Sequence, residues 1–133
     1  MYLSMIYRTK LLMLFTICLL SLGAAKLTAQ EIRANNPKEK KVLLLIAALP
    51  EVKERAAHIK RVSQGKNQIT LMVSAGPELS IPYYQVNVND NAPSYKNYYQ
   101  FAVDPKTYEI FYYDAVKNRQ YTLAEWRKIR KQQ

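Results

Sequence analysis

The apolar positions of the chain fall into three regimes. An apolar run from Leu11 to Leu22 comes first, and a second, continuous run, VLLLIAAL, covers Val42 to Leu49. A continuous run does not by itself separate a buried strand from a helix. Here Leu and Ala dominate, and the flanks KEKK and PEVKERAAHIKRVSQG are rich in helix formers, so the run predicts a helix. Asn35 or Asn36 is placed to cap it, and Pro37 suits its first turn. Pro50 breaks or kinks this helix and can open the next, with Glu51 and Glu54 near the positive end. Val52, Ala56, Ile59 and Val62 then recur at helical spacing as an apolar stripe, and Gly65 suits a C-terminal cap.

After Lys66 the period drops to two. Ile69, Leu71 and Val73 recur at every second position and point one way, as do Tyr84, Val86 and Val88, then Tyr99, Phe101 and Val103, then Ile110 and Tyr112. Gly76, Pro77 and Pro82 bracket the first connection; Asp90 to Ser94 and Asp104-Pro105-Lys106-Thr107 mark the next two. Thr122 and Glu125 form a capping-box pattern ahead of TLAEWRKIRKQQ, in which Leu123, Trp126 and Ile129 share a face. The prediction is an α+β fold: an N-terminal kinked helix or helix pair packed on a four-stranded antiparallel sheet, closed by a short C-terminal helix.

The first apolar run changes the picture of where the chain works. Arg8 and Lys10 precede it and small residues follow, which is the layout of a secretory signal peptide. It is short against the roughly 20 apolar residues a membrane-spanning helix needs. A cut after Ala29 leaves Gln30 first, with Ala25 as the rival position, and the expectation is an exported product, periplasmic or secreted. Residues 1–29 are then the signal peptide, 30–36 a flexible tail, and 37–133 a single domain. Cys18, the one cysteine, lies within the run, and Phe15, Thr16 and Ile17 before it lack the small residues of a lipidation site. The remaining 104 residues therefore rely on a hydrophobic core without disulfides, which fits a bacterial envelope. Three of the 20 Lys and Arg fall in the first 29 residues, so 17 face 10 Asp and Glu and a net charge of +7 remains. The charge is spread, as in a solubilising surface, although an anionic lipid, cell-wall polymer or acidic protein would be favoured by it. Nucleic acid is not an expected partner of an exported protein.

All nine tyrosines after residue 29 lie between Tyr83 and Tyr121. Strands favour aromatic residues, and cross-strand aromatic pairs account for much of this concentration. Doublets are another matter, because neighbours on a strand point to opposite faces. Tyr83-Tyr84, Tyr98-Tyr99 and Tyr112-Tyr113 each place one ring towards the helices and one away. The outward set, Tyr83, Gln85, Tyr98, Gln100, Phe111 and Tyr113, forms an expected aromatic and amide-bearing binding face. The inward set, Leu71, Val86, Val88, Phe101, Val103 and Ile110, is apolar.

The stretch VDPKTYEIFYYD, Val103 to Asp114, resembles the C-terminal hairpin of PepSY-type domains, in which a D-x-x-T-G-E turn separates two strands. Asp104, Thr107 and Glu109 match, and Tyr108 stands at the glycine position. From LPEVKERA through DPKTYEI to LAEWRK, the chain also looks like a group of small secreted proteins of Bacteroidetes-type bacteria. Its order of elements resembles cystatin-like and nuclear-transport-factor-like α+β proteins. The PepSY resemblance implies a role in restraining a peptidase or another envelope partner.

Catalytic patterns are weak. His58, the one histidine, follows Glu54 at the spacing of a solvent-facing helical pair and has no evident nucleophile. With no cysteine after residue 29, neither a zinc site nor any other metal or cofactor is expected. Gly65 and Gly76 are too few for a phosphate loop. Asp104, Glu109 and Asp114 share a hairpin, where turn-forming and strand-ending roles suit them better than paired acid and base catalysis. Trp126 reads as the anchor of the last helix. The expectation is a non-catalytic binding or inhibitory module acting on an envelope or extracellular protein or glycan. Its alternatives are an enzyme or small-ligand carrier using a pocket between sheet and helices, and a structural protein held in the envelope by charge.

Overall fold

The computed structural model describes residues 30–93 and 95–133. The expected signal peptide and its cleavage point at Ala29 or Ala25 lie outside the described residues. Within them the fold is α+β, with three helices and one six-stranded mixed sheet. The strands are β1 (Gln30–Arg33), β2 (Ile69–Ala75), β3 (Tyr84–Asp90), β4 (Asn97–Val103), β5 (Ile110–Asp114) and β6 (Arg119–Thr122), and they lie in the sheet in chain order. Helices α1 (Pro37–Ala47) and α2 (Pro50–Val62) fall between β1 and β2, and α3 (Leu123–Lys131) closes the chain.

The expected four antiparallel strands are present as β2 to β5, but the sheet is larger at both ends. β1 runs parallel to β2, pairing Gln30 with Ile69 and Ile32 with Leu71. This corrects the reading of residues 30–36 as a flexible tail. Gln30 also donates its side-chain amide to the carbonyl of Ala47 at 3.2 Å, tying the strand to the end of α1. At the other edge β6 pairs antiparallel with β5, Tyr112 opposite Tyr121.

Local chemistry explains the helix boundaries. Asn36 caps α1 by accepting from the Glu39 amide at 2.9 Å, and the Glu39 carboxylate accepts from the Asn35 amide at 2.8 Å. Val42, Leu43, Ile46 and Ala47 face the core while Leu44 is exposed, so the continuous apolar run behaves as a one-sided helix. Pro50 stands at the start of α2, where its missing N–H costs nothing. Val52, Ala56 and Ile59 are buried, but Val62 is 61% exposed and leaves the predicted stripe, because the helix ends there. Gln64 and Gly65 then turn the chain with positive φ, and the Gly65 amide donates to the Lys60 carbonyl at 2.8 Å. Thr122 and Glu125 form the reciprocal capping box that opens α3.

One apolar cluster lies between helices and sheet. It contains Leu71, Val86, Val88, Phe101 and Val103 as anticipated, with Ile110 packed at its margin. α1 covers β1 to β3 and α3 covers β5 and β6. Trp126 of α3 stacks on Tyr112 at 4.6 Å between ring centres and meets Tyr99 and Phe101 edge-on, both at 5.5 Å. At 4% exposure it anchors the helix, a burial whose loss typically costs about 3–5 kcal/mol.

Candidate functional site

With the apolar residues of β2 to β5 turned to the helices, alternation assigns the remaining side chains to a face that no helix covers among the described residues. Met72 is paired with Asn87, Asn87 with Gln100, and Tyr113 with Gln120, giving one row across the sheet. Gln85, Ala102, Phe111 and Thr122 form a second row. The amide of Gln100 donates to the side-chain oxygen of Asn87 at 3.2 Å, which orients both groups. Tyr83, immediately before β3, meets Phe111 edge-to-face with ring centres 5.9 Å apart. Ala102, flanked in the register by Gln85 and Phe111, is 2% exposed. Tyr113 lies in the same row as Gln100, and its hydroxyl donates to Asn118 at 2.7 Å across the turn into β6.

Five of the six anticipated face residues, Tyr83, Gln85, Gln100, Phe111 and Tyr113, therefore share this side. Tyr98 does not. The pairing runs Val88 with Tyr99 and then Asn89 with Asn97, so Tyr98 is the extra residue of a β-bulge. The bulge turns it to the helix side with Tyr99, where it packs at the margin of the core. Its hydroxyl donates to Asp90 at 2.9 Å, and the Arg55 guanidinium lies 4.9 Å from its ring centre. Burial, then the bond to Asp90, pushes the phenol above its ordinary pKa. Tyr98 is thus corrected from the outward face to the helix side.

The uncovered face also holds groups that pattern reading left out. Asn87 was legible in the alternation of QVNVN, which places it beside Gln85. Tyr95 was not, because it belongs to the β3–β4 connection: it accepts from the Asn89 amide at 3.1 Å and reaches Met72 at 3.2 Å. At the β1 edge Glu31 and Arg33 form a 3.0 Å ion pair. That hydrogen bond holds the Glu31 carboxyl below the usual range, with help from Thr70 and Gln68.

The other flagged groups take structural positions. Asp104 Oδ1 accepts from the amides of Thr107 at 2.9 Å and Lys106 at 2.7 Å, which lowers its pKa and closes the β4–β5 turn. Tyr108 completes that turn at φ +59°, the left-handed region that a glycine enters without strain. Asp114 accepts in the same way from the amides of Val116 and Lys117. His58 is exposed on α2 and meets Arg61 at 3.3 Å. No group of three or more His, Cys, Asp or Glu able to hold a metal ion occurs among the described residues. No helix among them is long and apolar enough to cross a membrane.

Fold and face together define an α+β protein with a one-sided helical layer and an open, amide-rich sheet. Compared with family models, curated proteins and solved structures, the chain matches none.

Proposed function

We propose that the chain is an exported, non-catalytic binding module whose uncovered sheet face holds a neutral glycan of the envelope or extracellular space. The observation that carries this reading is the composition of that face. Tyr83 and Phe111 supply an aromatic edge, and Gln85, Asn87 and Gln100 supply amides beside it. Aromatic rings suit the C–H faces of sugars. Each amide offers both donor and acceptor capacity to sugar hydroxyls. The charged strand residues assigned to this side, Glu31 and Arg33, neutralise each other at the edge, which favours an uncharged ligand over an anionic surface. A pocket enzyme is supported less well, because the residues directly beneath the helices are apolar and closely packed.

The test is affinity electrophoresis of the full chain through gels containing neutral polysaccharides, with Phe111→Ala and Gln100→Ala alongside. The expected result is retardation by at least one polysaccharide and a loss of about tenfold or more in each variant, with melting temperatures changed by only a few degrees. Equal retardation of variant and parent would remove this face from consideration. Export is tested by sequencing the N-terminus of protein recovered from the producing cell's envelope, which should begin at Gln30.

A further inference from the structure

The opposite side of the molecule carries a second feature that the glycan reading does not use. A cleft of about 400 Å³ opens between α2 and α3, lined by Glu51, Arg55, His58, Arg61, Tyr99 and Arg130, with Glu54 and Ala57 at its side. That is within the usual range for small-molecule sites, roughly 300–1,000 Å³. Its charges are unevenly matched. Glu51 turns towards α3, where Arg127 donates to it at 2.6 and 3.3 Å. Arg130 reaches the same carboxylate only at 4.0 Å. Arg55 lies one helical turn after Glu51 and could have paired with it, but it has no ion pair among the described residues. Its Nε is buried without a hydrogen-bond partner among the described residues. Among the described residues the Arg61 guanidinium meets His58 at 3.3 Å and forms no ion pair.

The aromatic floor of the cleft sets the guanidiniums in place. Arg55 and Arg130 both stand 5.8 Å from the centre of the Tyr99 ring, and each has a closer second ring, Tyr98 for Arg55 and Trp126 for Arg130, at 4.9 Å. A guanidinium held over an aromatic face keeps its terminal N–H groups available, and those groups match a planar carboxylate. Glu51 and Glu54 line the same cleft, so the surplus of positive charge is small and suits a monoanion better than a phosphate dianion. The ring of Tyr99 offers contact to a carbon body beside the charge.

We propose that this cleft binds a small organic carboxylate, whose oxygens accept from Arg55 and Arg130 while its carbon body rests on Tyr99. Two sources share that chemistry, an acidic sugar and the carboxyl end of a peptide. The experiment is a heteronuclear NMR titration of the full chain with D-glucuronate, N-acetylglycine, glucose and inorganic phosphate. Saturable shifts confined to α2, α3 and Tyr99 are expected with a carboxylate and not with glucose, and whichever carboxylate binds more tightly names the source. Arg130→Gln and Arg55→Gln should each weaken that binding at least tenfold. Arg61→Gln, at an exposed position that tolerates change, should weaken it less, and Lys38→Gln, which removes the same charge on α1, should leave it unchanged. No saturable carboxylate binding, phosphate binding as tight as the carboxylates, or equal losses in Lys38→Gln and Arg130→Gln would each overturn the proposal. If Arg55→Gln fails to fold, Arg130→Gln carries the test, since Arg127 still holds Glu51.

Discussion

Gly76 follows β2, and a Cβ on it would stand 3.0 Å from Glu78 Oε2 and 3.2 Å from Cδ1 of Tyr84. Its backbone is extended, so the constraint is space and not conformation. The glutamate can swing away, but Tyr84 is 4% exposed and has nowhere to retreat. Gly76→Ala should lower stability by about 1 kcal/mol, read as a lower urea midpoint; an unchanged midpoint would show slack around Tyr84. Tyr98 poses a sharper choice, because pattern reading put it on the binding face and the bulge took it off. Tyr98→Phe removes the bond to Asp90 and is expected to cost about 1 kcal/mol while glycan retardation persists. Loss of retardation in a folded Tyr98→Phe protein would return the residue to the site. Tyr108 shows a local rule overridden by its surroundings: it holds a glycine-like φ while Lys41 Nζ lies 4.0 Å from its ring centre and its side chain packs at the core margin.

Helix α3 is joined to the rest of the fold by an apolar anchor and an ionic one. Trp126 supplies the first, and the Glu51–Arg127 pair supplies the second. The hydrogen bond from Arg127 holds the Glu51 carboxyl below its usual range against the opposing effect of burial, with smaller contributions from the helix backbone, Arg127's charge and Arg130. A carboxyl depressed in the folded state contributes stability above its unfolded pKa, about 4.3, and loses it as pH falls through the lower folded value. Glu51→Gln should therefore cost about 1 kcal/mol at neutral pH, a modest amount because Arg127 is 42% exposed and screened. The gap between variant and parent should begin to narrow below the unfolded pKa and close in urea titrations carried below the lower folded value, whereas an equal loss at both ends would place the effect in packing. The helices were the more legible elements of this chain. Asn36, Pro37, Pro50, Thr122 and Glu125 act within a few residues of themselves, so their meaning survives without tertiary context. The stripe on α2 was legible up to Ile59, and Val62 escaped it because the helix ends there.

The molecule as a whole is a sheet with one covered side, and its edges decide how it meets other molecules. β1 is four residues long and shields the edge of β2. A chain lacking residues 1–33 leaves the N–H and C=O groups of that edge unpaired and uncovers Ile32's place against the core. Such a chain should melt at lower temperature and associate, as followed by light scattering; a monomer of parent stability would show that β1 is dispensable. The periods of two and 3.6, the capping residues and the turn residues were enough to specify an α+β fold, helical segments at both ends with one kinked helix or a pair at the first, strands β2 to β5 and the buried set from Leu71 to Val103, because each is a local signal or a one-sided burial pattern. Strands β1 and β6 were hidden, since four residues carry too little period and a strand of that length persists only where a neighbour supplies its hydrogen bonds. The bulge that withdraws Tyr98 arises from the pairing of β3 with β4, and the arginine cleft from where α2 and α3 come to rest on the sheet. These features depend on contacts between residues far apart in the chain, and one-dimensional periodicity contains no measure of that proximity.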